Sequence, residues 1–133
     1  MLERVNFLLQ SKESFTFETT LATKTYKSKL LWAKENGYTI KLLFFWLPTI
    51  EMAIELVTVR VSEGGHNIPN DVIARRYKRG IENLFKIYIP LCSEWILFDN
   101  SKNQIEEIAN GKCNEILQIL QEEKFDSIKA SSL

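Results

Sequence analysis

The run from Gly64 to Arg79, GGHNIPNDVIARRYKR, gathers most of the side chains in this 133-residue chain whose types and spacing could do chemistry. Two glycines close one segment, a short loop carries the single histidine, His66, and Pro69 with Asn70 or Asp71 opens a helix. At about 100° per residue, Ile73, Tyr77, Ile81, Leu84, Tyr88 and Leu91 fall on one side of that helix, and Arg75, Arg76 and Arg79 on the other. Three guanidiniums so close together repel one another, and their planar forks suit phosphate oxygens. An anion, phosphate foremost, lying among them is one reading. An ordinary solvated face with carboxylates nearby is the other.

The elements that must position these residues follow from apolar spacing. Residues 2–10 read as a short helix, and Ser14 to Glu18 alternates as a strand through Phe15, Thr16 and Phe17. A helix from Thr23 to Asn36 buries Tyr26, Leu30 and Ala33 and stops at Gly37. Tyr38 to Trp46 is almost unbroken in its apolar character, the pattern of a strand covered on both faces in a parallel sheet. Thr49 caps a helix with Ile50, Ala53, Ile54, Val57 and Val61 on one stripe, ended by Gly64 and Gly65. The arginine helix follows and must end or kink before Pro90.

Trp95 to Phe98 gives another buried strand, Gln104 to Ala109 a short edge strand, Cys113 to Glu123 a closing helix, and 126–133 a flexible tail. Strands alternating with helices predict right-handed crossovers and an α/β fold with a parallel sheet flanked by helices. Ligands in such sheets bind beyond the carboxyl ends of the strands. Glu18-Thr19-Thr20, Trp46-Leu47-Pro48 and Asp99-Asn100-Ser101 all fall on that edge. Thr19 and Thr20 read first as helix-start hydroxyls, Lys78 as solvated, and Tyr77 and Trp95 as core.

Composition narrows the function classes. Lys plus Arg equals Asp plus Glu at 17 each, so no strong field favours nucleic acid or an anionic membrane, and any anion site has to be local. Cys92 and Cys113 stand far apart without metal-ligand spacing, which fits reduced thiols in a cytoplasmic protein and predicts no metal site. The apolar run from Leu42 to Pro48 is too short to span a bilayer, and the N-terminus has no signal-peptide pattern. With 45% hydrophobic residues the chain can bury a core as one domain.

Several blocks, in order, resemble the zeta-toxin-like P-loop ATPases and kinases: Phe15-Thr16-Phe17-Glu18-Thr19-Thr20, Ala33-Lys34-Glu35-Asn36-Gly37-Tyr38, Gly64 to Arg79 with Asn83-Leu84, and Trp95 to Ser101. Gly-Gly-His-x-Ile-Pro followed by Arg-Arg-Tyr and a further Arg is the most specific of them. The resemblance covers roughly residues 10 to 110 and would make 1–125 the C-terminal portion of such a domain. It implies a P-loop kinase-like fold, ATP and Mg2+ as cofactors, and phosphoryl transfer to a sugar-nucleotide hydroxyl. It further implies that Arg75, Arg76 and Arg79 contact phosphates, that Glu18 sits by the acceptor or magnesium, and that Asn100, His66 and Thr20 lie near the nucleotide. An antitoxin is the implied protein partner.

The chain also departs from that family. No G-x-x-x-x-G-K-[ST] loop occurs in it, and the segment expected to bring the general-base Asp is not among its residues. Gly80 stands where a small hydroxyl residue is expected. The expectation is therefore an N-terminally truncated kinase, inactive or nearly so alone, with an unpaired sheet edge or exposed apolar face that invites self-association. The alternative is a degenerate, non-catalytic anion-binding or protein-interaction module.

Overall fold

The computed structural model describes residues 2–11, 14–17, 19–65 and 67–132. Helix α1 (Leu2–Ser11) and helix α2 (Tyr26–Glu35) precede strand β1 (Lys41–Trp46). Helices α3 (Ile50–Ser62) and α4 (Asn70–Asn83) then lead through a π-helical turn, Leu84–Tyr88, and a last turn α5 (Ile89–Leu91) into strand β2 (Glu94–Asp99). Strands β3 (Glu106–Lys112) and β4 (Glu115–Ile119) and helix α6 (Glu122–Ser131) complete the order.

Thr49 caps α3 as expected, its hydroxyl accepting the Met52 N–H at 3.2 Å, and Gly64 ends the segment at φ +100°. The regular turns of α4 stop at Asn83, and a wider π turn, Leu84–Tyr88, brings the chain to Pro90, which has no N–H to donate to a helical ladder.

The sheet is mixed, in the order β1-β2-β3-β4. β1 and β2 are parallel, with Lys41 opposite Glu94 and Trp46 opposite Asp99, whereas β2–β3 and β3–β4 are antiparallel. The expectation of a parallel sheet is thus met only by the first pair. A parallel return needs a crossover of a dozen residues or more, and the loop 100–105 is too short for one.

Three further expectations are corrected. Residues 14–17 form no strand: Phe15 and Phe17 stack at 6.2 Å and Phe17 meets Tyr26 at 5.0 Å, so their alternation reflects packing without a ladder. The closing helix expected over Cys113 to Glu123 is not formed before Glu122, because a tight turn at Cys113 (φ +51°) folds β4 back on β3 and backbone pairing outweighs a helical spacing of Ile116, Leu117 and Leu120. Residues 126–131 belong to α6 rather than to a tail, and Phe125 and Ile128 enter the core.

The core joins Val5 and Leu9 of α1, Tyr26 and Ala33 of α2, Ile81, Leu84 and Tyr88 of the arginine helix and its extension, and Phe125 and Ile128 of α6. It packs on the sheet face bearing Trp46, Trp95 and Leu97. The opposite face is different. Leu43 and Phe45 are 52% and 47% exposed, and neither they nor Ile96 and Phe98 belong to the core. Contrary to the sequence reading, β1 is covered on one face only.

Candidate anion-binding site

Four contacts fix the arginine helix. Its stripe of Ile73, Ile81 and Leu84 is buried. The Tyr77 hydroxyl donates to the Leu47 carbonyl at 2.6 Å, which ties α4 to the carboxyl end of β1. Asn83 Nδ2 donates to the Leu21 carbonyl at 2.7 Å, and the Tyr88 hydroxyl to that of Thr23. Between these, Gly80 is buried so closely against the Thr20 carbonyl that a Cβ there would stand 2.5 Å from it. Position 80 takes a residue without a Cβ because another backbone occupies the space.

The Tyr77 bond is a testable support of the site. Burial, first of all, raises the Tyr77 hydroxyl above its ordinary pKa of 10.0. Tyr77→Phe should cost roughly 1 kcal/mol, read as a lower melting temperature, and should loosen α4 from the sheet.

Arg75, Arg76 and Arg79 are all exposed, and among the described residues no carboxylate forms an ion pair with any of them. Helical spacing divides the three. Arg76 shares a flank with Gly80 and Asn83, toward the Thr20 loop. Arg75 and Arg79, with Lys78, Ile50, Ala74 and Glu82, line an open groove of about 430 Å³ on the α3 side. Lys78, read from sequence as solvated, is exposed as expected and also borders this groove. The i, i+3 and i, i+4 spacing sets it beside Arg75 and Ala74.

The other expected residues are less engaged. Thr20 is exposed and its hydroxyl accepts the Ala22 N–H at 3.4 Å, while the Thr19 hydroxyl accepts that of Leu21 at 3.2 Å. They shape a local turn about Leu21, which holds φ +60°, and do not cap the following helix. Asn100 donates its backbone N–H to the Trp46 carbonyl at 2.9 Å and so marks the carboxyl edge of the parallel pair. Glu18 and His66 lie outside the described residues.

Asp99, at the end of β2, is 2% exposed and committed to structure. Lys124 of α6 donates to its Oδ2 at 2.6 Å, and the Ser101 N–H donates to Oδ1 at 2.8 Å, with the Ser101 hydroxyl on the same oxygen. Burial pushes the Asp99 carboxyl up, but these bonds outweigh it and hold it below the ordinary 3.8. Lys124 is held above 10.5, first by Asp99 and also by Glu106 at 3.5 Å. A carboxylate whose folded pKa is depressed stabilises above its unfolded value and loses that contribution as pH falls through the folded one. A raised lysine does so as pH climbs past 10.5. Lys124→Met should therefore remove the part of the acid-unfolding transition below pH 3.8, with the melting temperature at neutral pH falling too.

Among the described residues no group of three His, Cys, Asp or Glu could hold a metal ion. Cys92 and Cys113 are free, and burial drives the Cys92 thiol up to about 12, which makes it a poor nucleophile. No described helix is long and apolar enough to cross a membrane.

No family model matches the chain, and no solved structure does. A curated protein of Haemophilus influenzae, titled "Uncharacterized protein", is 29% identical over 72 residues. The match takes in 54% of this chain, and the chain spans about half, 51%, of that protein.

Proposed function

We propose that this α/β chain is the phosphate-holding portion of a zeta-toxin-like phosphotransferase, in which Arg75, Arg76 and Arg79 grip the oxygens of a nucleotide or sugar nucleotide. The observation that carries the reading is the helix they occupy: three guanidiniums without carboxylate partners among the described residues, on a helix bonded through Tyr77 to the carboxyl end of a parallel strand. Phosphoryl transfer is mainly positioning and charge neutralisation, and this half of the apparatus would supply the second. ATP and Mg2+ would be held by a P-loop, which these 133 residues do not contain. The P-loop kinase-like fold, the sugar-nucleotide acceptor and an antitoxin partner belong to the same proposal.

A non-catalytic anion-binding module is the second reading, favoured by one observation. Asp99, at the end of β2, is held by Lys124 and Ser101, a structural use of the strand end where the kinase reading puts Asn100 near the nucleotide.

Calorimetric titration with ATP, with and without Mg2+, tests the shared claim and separates the two. Both readings require binding that weakens as salt rises. Binding by the chain alone should not depend on Mg2+. If fusion of a zeta-type P-loop segment to the N-terminus then produces ATPase activity that Arg76→Ala removes, the kinase reading stands; a fusion that binds ATP but never turns it over favours the module. No binding at low salt contradicts both.

A further inference from the structure

We infer that β1 is the contact edge of a two-fold dimer, in which the strand pairs antiparallel with the same strand of a second copy of this chain. The inference is independent of anion binding. The N–H of Glu94 donates to the Ile40 carbonyl and that of Asn100 to the Trp46 carbonyl, so even-numbered residues of this strand turn their backbone groups toward β2. Lys41, Leu43 and Phe45 therefore point theirs off the sheet, where no described residue takes them. Their side chains lie on the uncovered face, Phe45 stacked on Phe98 at 5.2 Å and Leu43 opposite Ile96.

Natural edges are blunted by charge, proline, bulges or short length. The other edge, β4, is so treated by one of these: it joins β3 through an irregular register at Asn110 and Gly111. β1 pairs with β2 in unbroken register and has no charge, proline or bulge along its middle. Its one charge, Lys41, lies at its start, 3.8 Å from Glu94 on β2, and the chain has no net charge to keep copies apart.

The pairing is self-complementary in detail. Free backbone groups on odd residues require odd opposite odd, and Leu43 facing Phe45 of the second copy meets that condition. A two-fold perpendicular to the sheet keeps the open faces on one side, so the apolar strips of both copies run together. One short strand buries less than the ~800 Å² per partner of a standard interface, so the dimer should be reversible.

Sedimentation of the purified chain over a concentration series tests this. The mass should climb from 15.5 kDa toward twice that value. Leu43→Pro deletes the outward N–H without touching the β2 ladder, and Leu43→Lys keeps that donor but charges the strip. Each should weaken association at least tenfold, and should Leu43→Pro fail to fold, Leu43→Lys decides. A wild-type chain at monomer mass throughout, as when the edge serves a different protein, overturns the inference. So does association that both folded variants retain, or growth beyond the dimer.

Discussion

Gly80→Ala is expected to lower the melting temperature of the chain, at a cost of about 1–3 kcal/mol. The added Cβ would stand 2.5 Å from the Thr20 carbonyl, and a backbone oxygen cannot turn aside as a side chain can. Either α4 backs away and loosens its buried Ile81 and Leu84, or the 19–23 segment detaches, taking with it the bonds from Asn83 to Leu21 and from Tyr88 to Thr23. Thermal melting followed by circular dichroism reads the loss. A melting temperature equal to wild type would show that the segment and α4 are not in contact as described.

Removing all three guanidiniums, in the Arg75→Ala, Arg76→Ala, Arg79→Ala variant, should abolish measurable binding of ATP and of inorganic tripolyphosphate. A hydrogen bond to a charged group contributes roughly 1.5–3 kcal/mol, and 1.4 kcal/mol is a factor of ten in affinity. The same variant should melt no lower than wild type, because the three side chains are exposed, like-charged and without ion pairs among the described residues. Lys78→Ala should also weaken binding, by less, since Lys78 shares the groove with Arg75 and Arg79. Competition titrations check each step. Triple-variant binding equal to wild type would reduce the arginine face to ordinary solvated charge.

Sequence reasoning located α2, β1, α3, α4 and β2 because each has a strong local signal: a cap at Thr49, stops at Gly37 and Gly64, unbroken apolar strands, and the Ile73–Tyr77–Ile81–Leu84 stripe; α1 followed from a weaker apolar spacing. It failed where the decision was not local. Whether β1 is covered on one face or two depends on where the helices pack, and Leu42 to Trp46 reads the same either way. The pairing of β4 with β3 was hidden by apolar spacing that suits a helix, and α6 by a polar composition whose two anchors, Phe125 and Ile128, are too few to show a period.

The candidate site was legible in part. The exposed arginine face followed from periodicity, but its division into an Arg76 flank and an Arg75–Lys78–Arg79 groove needed α3 and the Thr20 loop in place. Tyr77 was read as core, and its hydroxyl bond to Leu47 could not be anticipated without the fold. The role of Asp99 turned on Lys124, a residue in a helix that the sequence did not disclose.

Titration of tripolyphosphate into 15N-labelled protein at low salt, followed residue by residue, tests the central claim most directly. Saturable shifts should gather on the backbone of α4 and the Thr20 loop and on the Nε–H groups of Arg75, Arg76 and Arg79, leaving Lys41 and Lys102 unmoved. An unchanged spectrum, or shifts spread over every surface lysine, would contradict it.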